Sequence, residues 1–208
     1  AALLLPALSR ARSQARNMQC INNLRQLYLA NTMFAAENGG RYVAAAPDIG
    51  DIGGGLQRWH GARPSLEEPF DSQQWPLAEY LSFGIVKDCP NFIEYRNEPE
   101  APNVFESGTG GYGYNSAYVG GTAYLNEFPD SYRLTTIDTR IKKPGSTIMF
   151  ADTALPQDGY IIEYGFLEPP YHPTPDEPSG KLDWGISSPS MHFRHNGRAN
   201  ILWSDGHV

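Results

Sequence analysis

The chain has few cysteines and no long apolar run, and each shortage excludes a class of protein. Cys20 and Cys89 are the two cysteines among 208 residues, and they lack the CxxC or Cys-His spacing of a zinc finger. No stretch of about 18 consecutive apolar residues occurs, so no segment of the printed sequence is predicted to span a bilayer. On residue pattern alone, the two cysteines fit a single disulfide as well as a pair of buried thiols.

Positive charge is also scarce. The sequence has 16 basic and 23 acidic side chains, a net charge of −7, and its basic residues form no long run apart from the spaced Arg10, Arg12 and Arg16. A protein face that follows a phosphate backbone needs a denser set of cations, so nucleic-acid binding is not expected. The same shortage argues against an anionic membrane surface as a direct partner.

Two enzyme motifs are missing as well. The glycine-rich segments 53–55 and 110–113 lack the Lys-Ser/Thr pair of a phosphate-binding loop. No Gly-x-Ser-x-Gly sequence surrounds the serines between positions 187 and 190. We therefore expect turns in the first case and a polar loop in the second.

The residues that are present predict a folded domain with long loops. Apolar residues make up 40% of the chain and include 12 tyrosines, nine phenylalanines and four tryptophans, which is typical of a folded protein. The 21 glycines and 17 prolines concentrate in residues 39–130 and 156–190, which indicates turn-rich connections around a modest regular core. The length suits one domain.

Residues 7 to about 38 predict one long amphipathic helix. Its apolar positions follow three-and-four spacing, and Asn38-Gly39-Gly40 provides a stop signal. A helix of roughly 30 residues is about 45 Å long, more than a compact domain of this size requires. The predicted apolar stripe consists of Leu8, Ala11, Ala15, Met18, Ile21, Leu24, Tyr28 and Asn31, widened by Cys20, Leu27 and Phe34.

The start of the chain is apolar without a starting methionine or a charged leader. We interpret Ala1-Ala2-Leu3-Leu4-Leu5 as the end of a longer hydrophobic segment, and position 1 as a processing boundary. Pro6 lacks an amide hydrogen and predicts either a kink or a first-turn position.

The rest of the chain predicts short elements and loops. We expect a short helix over residues 75–81 and strands over 111–119, 146–152, 159–164 and 199–203, the last bracketed by Asn-Gly and Asp-Gly turns. Residues 168–190 hold many prolines and predict an ordered loop or flap. The fold class is therefore α+β: the N-terminal helix, residues 1–40, packs its C-terminal half on a small antiparallel sheet of the head, residues 41–208. Its N-terminal half is expected to project freely.

The sequence resembles type IV pilins and type II secretion pseudopilins of the G type. The aliphatic start with Pro6 and Leu8 leading into Arg10-Ala11-Arg12 is one part of the likeness, and the helix interior around Cys20 is another. Cys89-Pro90, Tyr112-Gly113-Tyr114-Asn115, Phe150-Ala151-Asp152 and the ending RHNGRANILWSDGHV are similar to one bacterial branch of these proteins.

This resemblance implies a non-enzymatic structural subunit. It implies anchoring in the inner membrane through a preceding segment, a periplasmic or extracellular head, and assembly into a fibre with copies of itself and other secretion components. The assembly segment would be Leu3, Leu4, Leu5, Pro6 and Leu8. An oxidising compartment would favour a disulfide between Cys20 and Cys89.

The densest polar cluster lies near the C-terminus. His192, His195, Asp205 and His207 offer imidazole and carboxylate ligands, so a metal-dependent hydrolase is the enzyme alternative. The surrounding turns and alternating pattern instead favour hydrogen bonds across a hairpin. Asp152 follows a predicted buried strand and, with Asp205, is a candidate for calcium, which the resemblance to major pseudopilins suggests.

A binding head is the remaining alternative. Trp59, Trp75, Tyr171 and Trp184 could present a sugar- or peptide-binding surface, although aromatic anchors that tether loops to the core are the favoured interpretation.

Overall fold

A computed structural model describes residues 4–81, 84, 86–95, 106–157, 159–171, 173–178 and 190–208. Its first and longest element is helix α1, Leu4–Glu37. Pro6 lies in the first turn, where a helix has no use for the missing amide hydrogen. The helix ends where predicted, because Gly39 and Gly40 adopt positive φ and the amide of Gly40 bonds to the carbonyl of Ala35 at 2.8 Å.

A three-stranded antiparallel sheet packs against α1. It consists of β3 (Tyr112–Tyr114), β4 (Ile148–Asp152) and β7 (Ile201–Trp203), with β4 in the centre. All three lie within the predicted strands. The predicted strand over 111–119 is shorter than expected, because the Asn115 side chain accepts the amide of Tyr118 at 2.9 Å and turns the chain.

Short elements surround this core. Two two-stranded ladders join β1 (Gln57–Arg58) with β2 (Gly61–Ala62) and β5 (Leu155–Gln157) with β6 (Tyr160–Ile162). Helices α2 (Phe92–Tyr95) and α3 (Asp130–Arg133) are single turns. The short helix expected at 75–81 is a 3-10 helix, Pro76–Tyr80, which packs on α1. The molecule is thus a mixed helix and sheet protein of the α+β class.

The helix joins the sheet through an apolar core and two buried asparagines. Asn31 donates to the Tyr114 hydroxyl at 3.0 Å and accepts the amide of Val43 at 3.0 Å. In the same way, Asn23 donates to the hydroxyl of Tyr112, a second residue of β3, at 3.1 Å. These bonds fix the helix in register with β3, because a buried amide side chain without partners would be costly.

The described part of the predicted flap, residues 168–171 and 173–178, contains no helix or strand. Trp184 and residues 179–189 of that segment, together with Leu3, lie outside the described residues. None of the described helices combines the length and the apolar composition that a bilayer crossing requires.

Candidate functional site

The outer face of α1 carries an apolar stripe that the described residues of the head leave at least half exposed. Leu8, Met18, Leu29 and Met33 are each more than half exposed, at 51%, 57%, 57% and 51%. Ala11 and Ala15 are exposed between them. At 3.6 residues per turn these six positions fall within an arc of about 80°. We call them the outer stripe; Asn22 and Gln26 fall within the same arc and interrupt it.

The head packs against the nearly opposite side of the helix. That buried face begins at Cys20 and consists of Cys20, Asn23, Leu24, Leu27, Ala30, Asn31 and Ala35. The prediction of one apolar stripe that joins Leu8 and Met18 with Leu24 is wrong, because the small sheet covers only one side of the helix from Cys20 onward. Residues 6 to 12 are all exposed, as the predicted projecting half requires.

The disulfide implied by the resemblance is present. Cys20 on α1 is bonded to Cys89, with 4.9 Å between the Cα atoms and a sequence separation of 69 residues. Both cysteines are fully buried. The bond ties the helix, at the point where it leaves the head, to the loop that precedes α2.

A buried ion pair lies against this disulfide. Arg194 Nη2 donates to Asp152 Oδ1 at 2.7 Å, and both side chains are fully buried. Arg194 Nε lies 3.3 Å from Cys89 Sγ, and its guanidinium also bonds to the carbonyls of Thr153 and Gly111. Burial lowers the pKa of Arg194, while the charge of Asp152 acts in the opposite direction.

His195 completes the same network. Its Nε2 lies 3.1 Å from Asp152 Oδ2, and Asn91 Nδ2 lies 3.0 Å from Nδ1. An amide NH₂ donates to an imidazole nitrogen only if that nitrogen carries no hydrogen, so with Asn91 Nδ2 as the donor to Nδ1, the hydrogen on Nε2 is donated to Asp152. The backbone amide of Asn200 also donates to Asp152 Oδ2, at 2.6 Å.

This arrangement is a charge-compensated structural centre. Both oxygens of Asp152 are bound by protein donors within a fully buried site. Among the described residues, the donor atoms of Cys20, Cys89 and His195 form the one group of three that is compact enough for a metal ion. The two sulfur atoms of that group are bonded to each other and are not thiolate ligands in this state.

The other predicted ligands lie elsewhere. His192 packs edge-on against Tyr95 at 5.2 Å, and burial, followed by the charge of Arg194, lowers its pKa. Asp205 and His207 form an exposed pair with 2.5 Å between Oδ1 and Nδ1. Dehydration acts to raise the pKa of Asp205, but the hydrogen bonds from His207 outweigh it and hold the pKa below its ordinary value. In the structure, Asp152 therefore contacts His195, whereas Asp205 contacts His207 in a separate, exposed pair.

Sequence reasoning missed a second buried network. Arg58 Nε donates to Glu106 Oε1 at 2.8 Å, and His60 Nε2 lies 3.4 Å from Oε2 of the same carboxylate. The Arg58 guanidinium also lies over the rings of Phe70 and Phe166. No local signal marks this group, since Arg58 and Glu106 are 48 positions apart.

Of the aromatic residues considered for a binding surface, Trp59 is a loop anchor. Trp59 is fully buried and packs edge-on against Phe150, with 5.1 Å between ring centroids, and its indole nitrogen donates to the carbonyl of Gly165 at 2.6 Å. Trp75 packs against the core and is partly buried, and Tyr171 is 47% exposed. The anchor interpretation is therefore right for Trp59.

Comparison of the chain with protein-family models, with curated proteins and with solved structures finds no match.

Proposed function

We propose that this chain is a structural subunit of a type IV pilin-like or pseudopilus assembly, and that copies associate through the outer stripe of α1. The observation that carries the proposal is the placement of apolar side chains on the helix face that the head leaves uncovered. Large apolar side chains repeated along one exposed face are typical of an interaction surface. A long helix with one face on its own head and one face on its neighbours suits a fibre.

The disulfide supports the location that this function requires. Disulfides persist in oxidising compartments such as the periplasm and the cell surface. We propose accordingly that the head lies outside the cytoplasm and that a segment preceding the printed sequence anchors the protein in the inner membrane. The buried centre around Asp152 then has a structural role in the head, and no chemistry is assigned to it.

A charge-insertion experiment tests the assembly surface. Leu29→Lys with Met33→Lys places two cations on the outer stripe, and Gln14→Lys with Gln19→Lys places two cations on its flanks, at exposed helix positions. We expect the wild type and the flank variant to self-associate in sedimentation velocity runs at rising concentration, and the stripe variant to stay monomeric. Urea unfolding of both variants is expected to change by less than about 0.5 kcal/mol, since surface positions contribute little.

Two outcomes would contradict the proposal. One is a wild-type chain that remains monomeric across the concentration range. The other is a stripe variant that associates as well as the flank variant. The codons upstream of this sequence provide a further check, because a processed apolar leader there is required for a pilin-like precursor and a cytosolic start would exclude it.

A further inference from the structure

A cavity of about 680 Å³ lies on the head, away from the buried ion pair. It opens between the turn that follows β3, the segment that leads into β4, and the proline-rich stretch after β6. No residue of α1 lines it, so it is separate from the outer stripe. Its volume falls within the range of ordinary small-molecule sites, roughly 300–1,000 Å³.

The wall of the cavity is apolar and held in place. Tyr118 and Tyr124 stack with their ring centroids 5.5 Å apart, and the Tyr124 hydroxyl bonds to Thr136 at 3.1 Å. The Tyr118 hydroxyl donates to the carbonyl of Pro178 at 3.3 Å. Side chains fixed in this way form a site before any ligand arrives, which lowers the cost of binding. The apolar lining includes Tyr118, Tyr124, Ile141, Ile148, Leu167 and Met191.

The mouth of the cavity is positively charged in an acidic protein. Arg140, Lys142 and Lys143 line it, all three are exposed, and none forms an ion pair with a described residue. Among the described residues that line the cavity, Glu168 is the one acidic residue, and its Oε1 accepts the Tyr164 hydroxyl at 2.8 Å. Three cations within four positions, in a chain with a net charge of −7, give this mouth a sign opposite to that of the molecule as a whole.

We infer that this cavity binds a small organic anion that has an apolar body and a carboxylate or similar head group. The apolar body is removed from water against the Tyr118–Tyr124 wall, and the head group lies among the cations at the mouth. A neutral or cationic ligand of the same shape makes the same apolar contacts with the wall, but it is not attracted by the cations at the mouth. The inference is independent of fibre assembly.

A matched ligand series tests this inference. Octanoate, octan-1-ol and octylammonium share an apolar chain and differ in head-group charge, and their dissociation constants can be measured by calorimetric titration. We expect octanoate to bind at least about tenfold more tightly than octan-1-ol, and octylammonium to bind most weakly. Equal affinity for octanoate and octylammonium would overturn the inference.

Variants locate the site. Lys142→Gln with Lys143→Gln is expected to remove the preference for octanoate over octan-1-ol and to leave octan-1-ol binding unchanged. Arg10→Gln with Arg25→Gln makes the same change in net charge at exposed positions of α1 and should preserve the preference. The inference fails if the lysine variant keeps the preference. It also fails if octanoate binding is lost in Leu29→Lys with Met33→Lys, because the ligand would then lie on the outer stripe.

Discussion

At the scale of single residues, buried charge distinguishes this head from an ordinary small core. Asp152 and Arg194 are removed from water together, and each oxygen of the carboxylate has a protein donor. Attraction within such a pair roughly offsets the cost of dehydrating it, so the pair adds little net stability while both partners are present. Removing one partner is different, because the remaining charge keeps the cost and loses the compensation.

Arg194→Met should therefore be strongly destabilising. We expect a loss of about 3–5 kcal/mol in the free energy of unfolding, measured by urea denaturation. Adding Asp152→Asn, which removes the unpaired charge and keeps the side-chain volume, should recover part of that loss. Arg133→Met is the matched control, since Arg133 pairs with Asp51 and Asp130 at the surface and the same change there should cost less than about 1 kcal/mol. Equal losses at the two arginines would show that burial of the pair is unimportant.

At the scale of elements, local sequence patterns predicted the positions of helices and strands well, but they did not predict which distant segments pack together. The periodicity and the Asn38-Gly39-Gly40 stop located α1 within three residues at its start and one at its end, and the apolar run before Asp152 located β4. The same pattern did not distinguish two apolar faces of one helix. Which face meets the sheet depends on contacts between distant segments, such as Asn31 with Tyr114, and a local period contains no information about them.

The residues of the candidate site were also predicted from the sequence only in part. Asp152 was singled out with Asp205 as a calcium candidate and His195 as a member of the histidine cluster, but the structure pairs Asp152 with His195 and leaves Asp205 with His207. Arg194 was given no role of its own from the sequence, yet it makes the central contacts with Asp152 and Cys89. Its role depends on burial, which is a property of the folded chain. Nothing in the sequence indicated the basic mouth of the cavity, because three neighbouring cations are too few to predict a charged binding surface.

The disulfide is the covalent link between two elements, α1 and the loop before α2. It closes a segment of 69 residues, and a crosslink over a loop of that length restricts the unfolded chain strongly. A chain-entropy estimate for a loop of that length gives about 4 kcal/mol of stabilisation. Cys20→Ala with Cys89→Ala should lower the free energy of unfolding by about this amount, measured by urea denaturation. Thiol titration of the denatured, unreduced wild type should find no reactive thiol, and two reactive thiols would refute the bond.

At the scale of the whole molecule, the helix divides into a half that the head holds and a half that it does not. Leu24, Leu27 and Asn31 are buried against the sheet, whereas residues 6 to 12 are exposed. A short stretch of helix without tertiary contacts is only marginally stable in water, because most helical stability in proteins comes from packing. The monomer should therefore be unevenly stable along α1.

Amide hydrogen exchange measures this division directly. In the monomer we expect the amides of residues 8–15 to exchange at least about 100-fold faster than those of residues 24–35, since residues 6 to 12 are exposed and local opening there breaks few contacts with the head. If copies associate through the outer stripe, as proposed, the amides of residues 8–15 should become protected at concentrations where the protein assembles, while those of β4 stay slow in both states. Protection of residues 8–15 in the monomer would mean that the projecting half is stable by itself. Unchanged fast exchange in the assembled state would place the contact between copies elsewhere than along this helix.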